Sequence, residues 1–456
     1  MFIRIREEFK IPGKTPKQKI TIDKSKKKRK NDLDTFSKKI APKIDPSIRN
    51  KCLKCRGTKN LCGKQRCPVL AKYYSQLDNE GKSFNTKHLD GNSPPSVFIG
   101  RYNYPKVNVG PLVPPEHGDT SIYSQPQKWY GDAEIGDILK FRGNLARGKK
   151  KLKTGIEITP DLDRDVQKTR ILALFEKPTQ TEVSFDKKLT NNLKLDYKSQ
   201  PYGPSAKLTE FDYSHSKSQR QLEKVFYDDD LKAEKAVKKL YEKNVSVSKI
   251  QDIFMVGGTG LGQNRRFVPT RHSITAVDDI IGKKLREEAK NKRLIDEYEV
   301  YSAKYLDNQW LVILTPTPWQ YELVEAFYPE TTWNPSKNQI AMFGDHEGLK
   351  GRKEYASLGG CYYSARLAVG EKLREKNRQA GAIVLREARP GYILPVGVWL
   401  TRESVRNALK GSPQKFDTKK QTLNYIDQKM DIRLNTWLDV SELLSQKEKQ
   451  KTLGEF

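Results

Sequence analysis

The feature that most limits how this chain can fold is a cluster of four cysteines, Cys52-x2-Cys55-x6-Cys62-x4-Cys67. A two-residue gap lets consecutive thiolates grip one ion, and four soft donors complete the tetrahedron that Zn²⁺ prefers. The loop between the middle cysteines is shorter than in a zinc ribbon. A compact knuckle over residues 51–72 is therefore expected, with structural Zn²⁺, because all four positions are filled and none is open to substrate. The Cys67-Pro68 ending echoes ferredoxin spacing, so an iron–sulfur cluster is the second reading. Lys51, Lys54, Arg56, Lys59, Lys64 and Arg66 interleave with the cysteines, and folding such a loop around a metal would present its charge rigidly to phosphates. The fifth cysteine, Cys361, lies among apolar residues and reads as a small core residue. So few cysteines in a long chain exclude a disulfide scaffold and point to a reducing compartment.

Charge narrows the partners. Lys plus Arg total 85 against 56 Asp plus Glu in 456 residues, a formal +29. Such a balance favours polyanions, nucleic acid ahead of an anionic membrane; a Lys-rich surface serving solubility or heat resistance is the plainer alternative. Residues 1–50 carry 16 basic against 6 acidic side chains. The run Lys26-Lys27-Lys28-Arg29-Lys30 has no apolar residue and reads as an extended, solvated arm able to scan a phosphate backbone. No apolar run approaches the ~18 residues of a membrane span, and Met1–Lys10 lacks a signal-peptide core. A soluble cytoplasmic, nucleoid-associated protein is expected, with no membrane partner and its oligomeric state left open.

With 36% hydrophobic residues the remainder can build a globular core. It divides into a first part over 73–250, a second over 251–410 with Gly-, Arg- and Asp-rich segments, C-terminal helices over 411–445 and a flexible tail over 446–456. Val97–Ile99 and Val107–Val109 show the period-2 pattern of short strands, and prolines recurring from Pro94 to Pro126 exclude a long helix there. Further strands are predicted over Thr181–Phe185, Ile253–Val256, Trp310–Thr315, Ile383–Arg386 and Val396–Leu400. Helices are predicted over Asp163–Glu176, Ser218–Asn244, Lys283–Tyr298, Tyr362–Asn377, Glu403–Leu409, Lys419–Met430 and Arg433–Leu444. Strands and helices mix without strict alternation, which gives an α+β (mixed α/β) class.

Several segments could carry chemistry. Gly143–Lys150 nearly matches a P-loop, but Lys150 stands where Ser or Thr must bind Mg²⁺, and the match is rejected. Gly257–Gly262 follows the strand predicted over Ile253–Val256, yet no helix is read after it, so a dinucleotide site is not expected; beside Arg265 and Arg266 it could form an anion nest. Arg265, Arg266 and Arg271 are candidate phosphate contacts. Asp278 and Asp279, with Asp345 and Glu347 in a second acidic loop, are the residue types that a Mg²⁺- or Mn²⁺-dependent nuclease needs to clamp attacking and leaving oxygens. The competing reading has Asp278 and Asp279 capping a helix and pairing with the arginines. The C-terminus offers Gln450, Leu453 and Phe456 at the spacing of a sliding-clamp peptide, in which one turn sets the two apolar side chains into a hydrophobic pocket.

These strings together resemble the archaeal Nre family of DNA-repair proteins. The resemblance runs through the cysteine knuckle, Pro94–Pro111 (PPSVFIGRYNYPKVNVGP), Arg265–Asp279 (RRFVPTRHSITAVDD), Tyr355–Val369 (YASLGGCYYSARLAV), Pro390–Glu403 (PGYILPVGVWLTRE) and the tail. It implies a role in the response to DNA damage, with the sliding clamp (PCNA) engaged through Gln450, Leu453 and Phe456. It implies no catalytic residue; His272 stands where many relatives carry tryptophan, which counts against an essential base there. The leading expectation is a clamp-recruited DNA-repair factor that binds DNA. The alternatives are a metal-dependent, nuclease-like enzyme and an RNA- or ribosome-associated basic protein.

Overall fold

Two sheets organise the chain, and they bury their faces differently. The computed structural model describes residues 84–156, 163–189, 202–329, 331, 333–334, 338–392 and 394–446, with backbone alone at 18–21, 194–196 and 199–201. The first half contains β1 (Gln18–Thr21), β2 (His88–Ser93), β3 (Val97–Ile99), β4 (Lys106–Val113), α1 (Ile135–Gly143), β5 (Ala146–Lys153) and α2 (Arg164–Leu172). There follow β6 (Thr179–Phe185), β7 (Lys194–Asp196), β8 (Ser199–Tyr202), β9 (Ser205–Tyr213), α3 (Arg220–Phe226), α4 (Ala233–Glu242), α5 (Val247–Met255) and α6 (Thr270–Ala289). The second half contains β10 (Tyr298–Tyr305), β11 (Asn308–Thr315), β12 (Tyr321–Phe327), β13 (Gln339–Glu347), α7 (Gly360–Lys376), β14 (Gly381–Ala388) and α8 (Trp399–Lys410). It closes with β15 (Gln414–Phe416), α9 (Lys419–Lys429), α10 (Leu434–Leu438) and α11 (Glu442–Ser445). The mixed α+β class is as expected.

The larger sheet has seven strands in the order β1-β13-β12-β14-β11-β10-β15. Its central strands β11, β12 and β14 are buried at every position, because helices cover both faces. One face packs Trp310, Val312, Leu323 and Val384 against residues of α7 and α8; the other packs Leu311, Ile313, Val324 and Leu385 against α9 to α11. Two-sided burial removes any need for polar alternation, which is why Trp310–Thr315 is uniformly apolar until its last residue. The arm, expected to be extended and solvated throughout, contributes β1 to the edge of this sheet, antiparallel to β13.

The second sheet has six strands in the order β2-β6-β9-β5-β4-β3. One face packs Val97, Ile99, Val107 and Val109 onto the α2–α6 helices and Val113, Ala146, Val183 and Leu208 into a smaller cluster. Its other face alternates toward water, as in β6, where buried and more exposed residues alternate over Thr179–Phe185.

Six predicted elements are corrected, among them Arg433–Leu444, which is two short helices, α10 and α11, and the acidic loop of Asp345 and Glu347, which is the end of β13. The apolar run Ile253–Val256 is not a strand but the end of α5, which is capped by Ser246, whose hydroxyl accepts from the Lys249 N–H; a short apolar run cannot by itself distinguish a strand from a buried helical turn. Ser218–Asn244 is two helices, parted at Asp228–Asp230, where the Arg265 guanidinium takes the carbonyls of Phe226 and Asp228. The helix read over Lys283–Tyr298 begins earlier, directly after Pro269, and ends at Ala289. Val396–Leu400 is not a strand; α8 starts within it at Trp399. Cys361 is packed against the main core as expected.

Candidate nucleic-acid interface

The four acidic candidates are each held by arginine. Asp278 and Asp279 stand about two turns inside α6 and not at its N-terminus, so they cap nothing. Asp278 is fully buried and accepts from Arg402 Nη1 at 2.9 and 3.0 Å and from Gln251 Nε2 at 2.9 Å. Burial pushes its carboxyl pKa up while Arg402 draws it down. Asp279 accepts from Arg366 Nη2 at 2.5 Å and from Lys283 at 2.7 Å. Glu347 accepts from Arg366 Nη1 at 2.8 Å and from Trp319 Nε1 at 3.3 Å. Asp345 accepts from Arg352 Nη1 at 2.5 Å and from the Ser357 N–H at 2.6 Å, and these donors hold its carboxyl below the usual range against the upward push of burial. A metal ion would have to displace an arginine from every one of these carboxylates. Among the described residues no three His, Cys, Asp or Glu side chains gather as a metal site. The pairing with arginine was expected, but its partners lie outside the Arg265–Asp279 segment.

Arg265 is a second correction. It is 2% exposed and donates to the carbonyls of Gly260 (3.0 Å), Phe226 and Asp228 (2.8 Å), with Asp229 at 3.1 Å. The Gly257–Gly262 turn therefore closes around the protein's own guanidinium, and no anion nest is left for a phosphate. Arg266 and Arg271 are exposed, as a phosphate contact requires. Arg266 pairs through its backbone with Gly155, just beyond β5. Arg271 is the second residue of α6, whose first, Thr270, exchanges hydrogen bonds with the backbone of Ile99 at the end of β3. The fold thus brings both arginines to the rim of the six-stranded sheet.

The solvent face of that sheet carries a basic surface that sequence reasoning missed. In β5 the residues Arg147, Lys149, Lys151 and Lys153 share one face, since strand side chains alternate. The register sets Lys106 directly opposite Lys153 and Lys207 opposite Lys149. Lys106, Lys151, Lys153 and Lys207 are exposed, and none has a carboxylate within ion-pair distance among the described residues. Lys150, on the other face of the strand, is neutralised by Asp163 and Asp165. In the β3–β4 hairpin Tyr102 is 64% and Tyr104 50% exposed, and Arg101 lies 4.9 Å over the Tyr102 ring. Across β9 and β6 the same solvent face turns acidic, with Glu210, Asp212 and Glu182 exposed. Charge is therefore sorted across one sheet. Like charges directly opposite each other in a sheet cost roughly 0.2–1 kcal/mol per pair, a cost that a bound polyanion relieves.

The signal was in the sequence as the alternation Arg147-x-Lys149-x-Lys151-x-Lys153. It overlaps the near-P-loop, and the structure agrees with rejecting that match: α1 ends at Gly143 and β5 begins at Ala146, leaving no phosphate-wrapping loop. Cys52, Cys55, Cys62 and Cys67, the Lys26–Lys30 run, and Gln450, Leu453 and Phe456 lie outside the described residues. No helix among the described residues is long and apolar enough to cross a membrane.

Comparison with known proteins adds a family. Residues 61–334 match the family model described as Archaeal Nre, N-terminal, and residues 347–456 the one described as Archaeal Nre, C-terminal. The chain is 40% identical over 408 residues to DNA repair protein NreB of Archaeoglobus fulgidus, a match covering 89% of this chain and 99% of that one. It is 35% identical to DNA repair protein NreA of the same organism, covering 81% of this chain and 90% of that protein. It is also 35% identical to DNA repair protein NreA of Haloferax volcanii, covering 72% and 80%. No solved structure matches.

Proposed function

The chain belongs to the archaeal Nre family, and on that premise we propose that it is a DNA-repair protein that binds nucleic acid through the basic half of its six-stranded sheet. The observation that carries the binding is the set of exposed lysines Lys106, Lys151, Lys153 and Lys207 on one face, with no carboxylate in ion-pair reach among the described residues. Successive same-face lysines of β5 lie on the order of 7 Å apart, a spacing suited to successive phosphates of an extended strand. Tyr102 and Tyr104 at the hairpin offer rings on which unpaired bases can stack. Both features favour single-stranded or frayed DNA over a closed duplex, whose bases have no free face. The DNA-repair role rests on the names of the relatives. A metal-dependent nuclease loses its main support, because each carboxylate proposed for it already pairs with an arginine of the fold.

Two further parts belong to this reading. Cys52, Cys55, Cys62 and Cys67 hold one structural zinc. Metal analysis of the purified chain is expected to return about one zinc per chain without iron–sulfur absorption; iron with visible absorption would replace zinc in the proposal. The tail recruits the protein to the sliding clamp through Gln450, Leu453 and Phe456, with Leu453 and Phe456 filling a pocket on the partner.

The test is to titrate the full chain, beside a version ending at Lys449, into sliding clamp and separately into single-stranded DNA. The two versions differ little in charge, so electrostatic attraction cancels. Salt-resistant clamp binding lost on truncation, with salt-sensitive DNA binding unchanged, is the expected result. Equal clamp binding by both versions would remove the tail from the proposal, and failure to bind DNA at low salt would remove the sheet.

A further inference from the structure

The β3–β4 hairpin is anchored at its base and bare at its tip. Val97, Ile99, Val107 and Val109 are each at most 2% exposed and pack into the core formed with α2–α6. On the outer edge of β3 the Thr270 hydroxyl accepts the Ile99 N–H at 3.1 Å and lies 3.3 Å from the Ile99 carbonyl. The hairpin closes with the Gly100 N–H on the Asn108 carbonyl at 2.8 Å and the Lys106 N–H on that of Asn103 at 2.9 Å. Asn103 turns the chain with a left-handed φ of 64°, a conformation that asparagine adopts more readily than most residues. Tyr102, Asn103, Tyr104 and Pro105 are all exposed. Five large apolar or aromatic side chains are exposed among the described residues, and two of them share this tip. Packing of the described fold does not account for them.

The segment that carries Arg266 and Arg271 passes beneath the tip. Where the hairpin rises from the sheet at Pro105, residues 265–267 take over its place beside β5. The Thr154 N–H donates to the Pro105 carbonyl at 2.8 Å, and the Thr154 carbonyl accepts from the Phe267 N–H at 2.7 Å. The Ile156 N–H donates to the Arg265 carbonyl at 2.9 Å. From there the segment runs to Thr270, on the opposite edge of the hairpin. Arg266 thus stands where the tip leaves β5, and Arg271 where it leaves the outer edge of β3. Both are exposed, with no carboxylate in ion-pair reach among the described residues. On the β5 side Lys106, Lys153 and Lys151 continue the positive surface. An aromatic tip therefore rises between two basic flanks.

We propose that this tip is a wedge that seats at the junction where paired DNA opens into single strands. Tyr102 and Tyr104 stack on the last base pair, one unpaired arm follows Lys106, Lys153 and Lys151, and the other passes over Arg271. The inference rests on the nucleic-acid reading above and specifies the DNA structure that is read. Inserting side chains into a closed duplex carries the cost of unstacking a base step, whereas at a junction that step is already open. Rings stack on any base and cations draw any phosphate, so the fit is to the forked shape and not to a sequence. Arg101 braces the wedge: its Nη2 donates to the Tyr102 hydroxyl at 2.9 Å, and its Cζ lies 4.9 Å over that ring.

The experiment measures binding of the full chain to four DNAs matched in total nucleotides: a single strand, a blunt duplex, a duplex with one unpaired arm and a duplex with two. The two-armed fork is expected to bind roughly tenfold or more tighter than the single strand or the blunt duplex. Tyr102→Ala combined with Tyr104→Ala should bring the fork close to the single strand, while lysine-dependent binding remains. Arg271→Gln should remove the advantage of the second arm and leave binding of the one-armed duplex. All three side chains are exposed, so these changes spare the core. Equal binding of fork and single strand by the unmodified chain would overturn the wedge and leave the sheet face standing, whatever the variants do. A fork preference that survives the loss of both rings would also overturn it. A second arm that adds nothing in the unmodified chain would overturn the placement of a strand over Arg271. If none of the four DNAs binds, the nucleic-acid reading and the wedge fall together.

Discussion

Replacing Arg366 by alanine is expected to destabilise the protein by about 3–5 kcal/mol, measured by urea denaturation. The side chain is fully buried in the middle of α7 and reaches two elements at once, Glu347 at the end of β13 and Asp279 in α6. Gly282 makes its passage possible: a Cβ there would lie 3.1 Å from Arg366 Nε. Truncation would leave Glu347, itself buried, without its principal counter-charge, and a lone buried carboxylate costs more than the pair contributes. Adding Glu347→Gln to Arg366→Ala should recover part of the loss by removing that charge. If the single substitution costs less than about 1 kcal/mol, the range of an exposed pair, the cluster is solvated and Glu347 does not depend on Arg366 for its counter-charge. The same measurement separates roles, because carboxylates that serve the fold lose stability with Arg366, whereas carboxylates poised for a metal would gain from losing a competitor.

Reversing Lys106, Lys151 and Lys153 to glutamate together should weaken single-stranded DNA binding on the order of a hundredfold at low salt. It should also flatten the dependence of log affinity on log salt by about two, since each phosphate contact to a single strand contributes about 0.7 to that slope. Folding should not suffer, because the change exchanges the Lys106–Lys153 repulsion between paired strands for a like one between two glutamates and touches no buried group. The control reverses Lys232, Lys235 and Lys239, exposed on or beside α4, for the same change in net charge. An equal loss with both triple variants would show that overall charge and not the sheet face drives binding. Retained affinity in the first would place the DNA elsewhere, with the N-terminal arm the next surface to test.

Both predictions concern charges, and charge is where sequence reasoning reached its limit. Short-range pattern was legible: period-2 alternation around Val97–Ile99 and Val107–Val109, the apolar run of β11, the helix after Gly359, and α9 all follow from residues within a few positions of each other. Where a short apolar stretch could serve either period, as at Ile253–Val256, it misled. The family was legible for the same reason, since long contiguous strings carry it.

What the sequence determined by itself is therefore the mixed class, the family, the excess of positive charge, and the residue types available for chemistry. What only the tertiary structure decided is which of those charges are already satisfied. Asp279 meets Arg366 across 87 positions and Asp278 meets Arg402 across 124, so no local pattern shows that these acids are occupied. Nor does one show that Arg265 is sealed inside while Lys151 and Lys153 stand on an exposed face with no carboxylate in reach among the described residues. The physical reason is that an ion pair forms between groups brought within about 4 Å by the whole packing. Sequence neighbours fix which way a side chain points from its strand or helix; the partner waiting there is chosen by the fold.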